Sequence, residues 1–89
     1  MNKIYFSKRK YDVLKFIANY YARNDYTPTF AEIAKGMGFT RSRANAIVND
    51  LVIIGAIDKE EGSSRRKIRL NAKQLKLVNS LKINITYST

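Results

Sequence analysis

The stretch TFAEIAKGMGFTRSRANAIVNDLVIIG, Thr29 to Gly55, decides how this chain folds. Thr29 and Glu32 have capping-box spacing, so hydroxyl and carboxylate each satisfy an orphan amide at the start of a helix running from Phe30 to about Met37. Gly38 can take the left-handed conformation that ends that helix, Phe39 can anchor the turn, and Thr40 caps a further helix from Arg41 to Ile54. Two helices joined by a tight glycine turn make a helix-turn-helix. In the second of them Ala44, Ile47, Val48 and Leu51 share one face. Ser42, Asn45, Ala46, Asn49 and Ile53 share the other, which is small and polar apart from Ile53. Gly55 stops the helix.

Upstream, Val13, Leu14, Ile17, Ala18 and Tyr21 recur at helical spacing between Phe6 and Arg23, with Ser7 as N-cap and Phe6 and Tyr11 placed for a hydrophobic staple. Downstream, AIDK (56–59) and KIRL (67–70) read as extended segments around EEGSSRR, a β-hairpin with Gly62 in its turn. Three helices followed by a two-stranded ribbon predict a mainly α winged helix-turn-helix with a small β-hairpin over residues 1–70. Residues 71–89 form a C-terminal extension. In it NAKQLKLVNSL has a weak helical pattern capped by Asn71, whereas KINITYST alternates like a strand.

Eighty-nine residues suffice for one small domain. Seventeen Lys and Arg against seven Asp and Glu leave a net charge of +10. A surplus of that size repels itself and is tolerated where a polyanion supplies the countercharge, which favours nucleic acid over an anionic membrane surface. Cysteine and histidine are both absent. That removes disulfides, thiolate nucleophiles, imidazole bases and the usual zinc ligands, so no catalytic residue, metal or cofactor is expected. No apolar run is long enough to span a bilayer, and the expected location is the cytoplasm, on the nucleoid.

Arg41 and Arg43 occupy the first turn of the helix after Thr40, where the macrodipole favours acids. Lys8, Arg9 and Lys10 repeat the anomaly in the first helix. Such departures from a local rule fit a surface that binds phosphates. The N-terminal half of a helix is the part that reaches base edges in the major groove. Arg can bond guanine O6 and N7 in a fork, Asn can do the same to adenine N6 and N7, and Ala46 can lie against a thymine methyl. The candidate DNA-contacting residues are therefore Thr29, Thr40, Arg41, Ser42, Arg43, Asn45, Ala46 and Asn49, with Arg43 and Asn45 as first choices for specificity. Ser64, Arg65, Arg66 and Lys67 in the wing are placed for the backbone or a narrow minor groove.

The segments FSKRKYDVLKFI, YTPTFAEIAKGMGF, LVIIGAI and GSSRRKIRL closely resemble, in order and spacing, the N-terminal DNA-binding domain of the LexA repressors. The resemblance covers Phe6 to Leu70 and is most specific from Pro28 to Phe39. Those repressors continue into a self-cleaving peptidase domain with a serine and lysine dyad. The resemblance here does not extend to it, so regulation by self-cleavage is not implied. On the best register the family's base-contacting positions fall on Thr40, Ser42, Arg43, Asn45 and Ala46. The stretch after Phe39 is one residue shorter than the family pattern, so the carry-over holds to within one position. Asn45 and Ala46 stand where the family carries acids, which implies a different operator.

The function expected is a sequence-specific regulator on double-stranded DNA, most simply a repressor that occludes a promoter. The alternatives are a replication or mobile-element protein of phage or plasmid type, and a winged-helix module that binds another protein. Tyr20, Tyr21, Tyr26 and Phe39 are expected to close the core rather than stack on bases. Val52 and Ile53 point away from the core and ask for a cover. Either the tail of the same chain supplies one, since its Leu75, Leu77, Val78, Leu81, Ile83 and Ile85 also need burial, or a second subunit does. The expected assembly is a homodimer through the C-terminal segment, since paired half-sites match a two-fold protein. No residue set points to a small-molecule effector.

Overall fold

A computed structural model describes residues 7–60, 62 and 65–77 of the chain. In order these form α1 (Lys8–Asn24), α2 (Phe30–Met37), α3 (Arg41–Ile54), β1 (Asp58–Lys59) and β2 (Ile68–Arg69), followed by a helical turn over 72–77. The architecture is the winged helix-turn-helix that the sequence predicts.

Local chemistry sets the helix boundaries. Ser7 Oγ accepts from the Lys10 amide, and Asp25 ends α1 in the left-handed region at φ 64°. At α2 the capping box is complete: Thr29 Oγ1 accepts from Glu32 N at 3.1 Å while Glu32 Oε1 accepts from Thr29 N at 2.9 Å. Gly38 follows at φ 74°, a conformation that costs a side-chain-bearing residue free energy, and the Phe39 amide donates to Ala34 O at 2.8 Å. Thr40 Oγ1 then accepts from Arg43 N at 3.1 Å and starts α3 within three residues of the end of α2.

The core gathers Val13, Leu14 and Ile17 of α1, Ile33 of α2, Ala44, Val48 and Leu51 of α3, and Ile57 and Ile68 of the ribbon. Every α3 residue assigned inward by periodicity is buried. Gly36 lets α2 approach α1 closely, because a Cβ there would lie 2.3 Å from the Phe16 ring.

β1 and β2 pair antiparallel with Asp58 opposite Arg69 and Lys59 opposite Ile68, and Glu60 N donates to Lys67 O at 2.7 Å. The strands are shorter than AIDK and KIRL suggest. Ala56 and Ile57 are buried in the core cluster and precede the ladder, so hydrophobic burial takes residues that alternation had assigned to pairing. Thr27 Oγ1 donates to Ile68 O at 2.8 Å and ties the loop after α1 to β2.

Two packing expectations need correction. Of the four aromatics, only Phe39 packs against the core cluster. Tyr20 and Tyr26 stack edge to face at 5.9 Å outside it, beside the Arg66 guanidinium, and Tyr21 is only half-buried. Val52 is half-buried against the core rather than directed away from it, while Ile53 and Ile54 are 70% and 39% exposed. The segment after β2 docks on its own chain at its first turn. Asn71 and Gln74 cap one another reciprocally at 2.8 Å, and buried Gln74 donates to Gly55 O and Asp58 Oδ1, each at 3.2 Å. The Phe6 half of the staple, Ser64 and the strand reading of KINITYST lie outside the described residues.

Candidate nucleic-acid interface

The outer face of α3 carries Ser42, Asn45 and Ala46 exposed and Asn49 half-buried. A helix turns about 100° per residue, so Arg41 and Arg43 leave the axis on opposite flanks of the strip centred on Ser42. Neither belongs to an ion pair among the described residues, and the first turn of α3 holds no acid to offset them.

On the wing side, Arg41 lines an open groove with Phe30, Ser42, Asn45, Lys59 and Lys67. Lys59 donates to Asn49 Oδ1 at 3.2 Å with its ammonium 5.5 Å from the Phe30 ring centre. Lys67 donates to Gly62 O at 3.2 Å. Sequence reading assigned Lys67 and missed Lys59, because its proximity to α3 depends on the ribbon folding back against that helix.

On the α1 side, Arg9 and Arg43 both approach the Phe39 ring, each guanidinium carbon 5.5 Å from its centre. Of the three cations in the first turn of α1, Lys8 pairs with Asp12 at 3.1 Å and Lys10 with Asp50 at 3.5 Å. That leaves Arg9 as the one directed at the turn between α2 and α3.

Arg66 does not stand with the other wing cations. Its guanidinium forms a fork with Glu32, Nη1 to Oε1 at 2.8 Å and Nη2 to Oε2 at 3.1 Å. Nη1 also donates to Thr27 O at 2.9 Å, and the guanidinium lies 4.3 Å from the Tyr26 ring centre. The hydrogen bonds from Arg66, helped by the Thr29 amide, hold the Glu32 carboxyl at about 2, well below its ordinary 4.5. Arg66 is raised above its ordinary value by the same contact. Tyr20 is also raised, by burial first and then by its hydrogen bond with Glu32. These bonds direct Arg66 at the start of α2, where it fastens the wing to the helix-turn-helix. The signal was local charge, and the partner that consumes it lies 34 residues away.

Thr29 and Thr40 have their hydroxyl oxygens accepting at the caps. Arg65 is exposed. Arg69, exposed on β2, pairs with Glu60 across the ribbon.

The model of the LexA DNA binding domain matches residues 4–66, well over half of the chain. The chain belongs to the LexA DNA-binding-domain family. The matched span takes in all three helices, β1 and the chain as far as Arg66, and ends just before β2. No individual curated protein matches the chain closely enough to stand as a relative. Among the described residues no helix is long and apolar enough to cross a membrane.

Proposed function

We propose that the protein is a sequence-specific regulator of transcription that binds double-stranded DNA and represses by occluding a promoter, acting on the cytoplasmic nucleoid. The observation that carries this reading is the polar outer strip of α3 bordered by cations that form no ion pair among the described residues. Thr40, Ser42, Asn45, Ala46 and Asn49 meet base edges in the major groove. Asn45 forks to adenine, and Ala46 lies against a thymine methyl. Arg65 and Lys67 follow the backbone or enter the minor groove from the wing, with Ser64 beside them.

The cations that border this surface are exposed Arg9, Arg41, Arg43 and Arg65 and half-buried Lys59 and Lys67. If they neutralise about six phosphates, log affinity falls against log salt with a slope near −5. Titrating a fluorescent duplex with the full chain between about 50 and 200 mM salt measures it, and a slope near zero refutes DNA binding through this surface.

The assembly we propose is a homodimer through the C-terminal segment. It is supported by exposed Leu77 on the turn that Gln74 fastens to Gly55, the residue after exposed Ile53 and Ile54. Sedimentation of the chain with and without residues 71–89 tests it. A mass unchanged by the deletion discards it.

A further inference from the structure

Two guanidinium groups share one aromatic ring at the junction of α1 and α3, and among the described residues no carboxylate is bonded to either. Arg9 reaches Phe39 from the first turn of α1 and Arg43 from the first turn of α3, both at 5.5 Å from the ring centre. Their charges are thus held no farther apart than twice that distance. Asp12 lines the same groove and is bonded to Lys8 at 3.1 Å. Stacking on Phe39 supplies some attraction for each cation, yet like charges brought together without an anion repel. An arrangement of this kind is completed by an anion that accepts from both forks.

We propose that Arg9, Phe39 and Arg43 form a clamp for the phosphodiester backbone of one DNA strand, and that Arg43 therefore grips the backbone instead of reading a base. The inference rests on the DNA-binding reading above. The geometry of α3 supports it in two ways. The Arg43 guanidinium lies at the Phe39 ring and Arg43 lines a groove with Arg9 and Gly38, whereas Ser42 and Asn45 line the groove on the other flank. On the opposite flank Arg41 shares its groove with Lys59 and Lys67, so the strip lies between two banks of cations. A major groove presents that arrangement in reverse, base edges between two phosphate backbones about 12 Å apart. Phe39 positions the clamp: its ring packs against the core on one side and orients both guanidiniums on the other.

The test compares the full chain with Arg9→Gln and Arg43→Gln on the duplex that the full chain retains from a random pool and on a scrambled duplex, with thermal melting as the control for folding. Each substitution is expected to flatten the salt slope by about 0.9 and weaken binding about fivefold at 150 mM salt on both duplexes alike. The selected motif stays unchanged and the melting temperature is equal or higher. Phe39→Leu, checked for folding by circular dichroism, is expected to weaken binding with less change in slope, since both charges remain. A changed motif or a lost preference for the selected duplex in Arg43→Gln makes Arg43 a base reader and overturns the proposal. An unaltered slope in Arg9→Gln, with or without a lower melting temperature, makes the cluster structural and overturns it as well. Failure of the unsubstituted chain to bind any duplex is a separate result, which removes the DNA-binding reading itself and this inference with it.

Discussion

Replacing Arg41 by Gln is expected to make the protein more stable and worse at binding DNA. Arg41 is the first residue of α3, directly after the Thr40 cap, exposed and without an ion pair among the described residues. A cation in that turn opposes the partial positive charge of the helix N-terminus at a cost of about 0.3–1 kcal/mol at an exposed site. Gln keeps much of the side chain's length and is a comparable helix former, so the dipole term dominates the change. A gain of about 0.5 kcal/mol raises the melting temperature of a domain this size by about 2–4 °C. On DNA the same change removes one neutralised phosphate, flattening the salt slope by about 0.9 and lowering affinity about fivefold at 150 mM salt. Arg41→Glu should move both readouts further in the same directions. Calorimetry or circular dichroism gives the first readout and fluorescence anisotropy the second. A fall in melting temperature of more than about 5 °C, or an undiminished affinity, refutes the view that α3 gives up stability for binding.

Other consequences follow from the wing anchor and the turn. The Glu32 carboxyl is depressed to about 2 in the folded protein, so its contribution to stability is complete above its ordinary 4.5 and is lost as pH falls towards 2. The melting temperature of Glu32→Gln should therefore lie below that of the unsubstituted protein at pH 6, with the gap closing between about pH 4.5 and 2. A gap that stays constant through that window contradicts the assignment. Gly38→Ala meets no atom within 4 Å, yet must hold φ 74°. The substitution should destabilise by about 1–2 kcal/mol in denaturant titrations, and a neutral result would show that the turn relaxes.

Most of the fold was legible because its decisive signals are short-range. Thr29 with Glu32, Gly38, Thr40 and Gly55 fix the ends of α2 and α3 through bonds within three or four residues, and periodicity assigned Ala44, Ile47, Val48 and Leu51 inward. Contacts made by the finished fold were not legible. Arg66 reads as one more basic residue of the wing until the ribbon brings it to Glu32. Tyr20 and Tyr26 read as core until the ribbon sets Arg66 against their rings. Lys59 reaches Asn49 only once the ribbon folds back against α3, and the approach of Arg9 to Arg43 depends on both packing on Phe39. Asn71 was legible as a cap, and Gln74 was not legible as its partner, because its amide also serves Gly55 and Asp58.

The central claim is that the outer strip of α3 reads base sequence. The measurement that tests it most directly is selection of random duplexes by the full chain at about 150 mM salt, with the retained fraction sequenced. The account predicts a recovered motif whose half-site contains a position that changes when Asn45 is replaced, with palindromic spacing if the chain acts as a dimer. Retention without a motif would contradict it, leaving the cations of α1, α3 and the wing to serve the backbone alone.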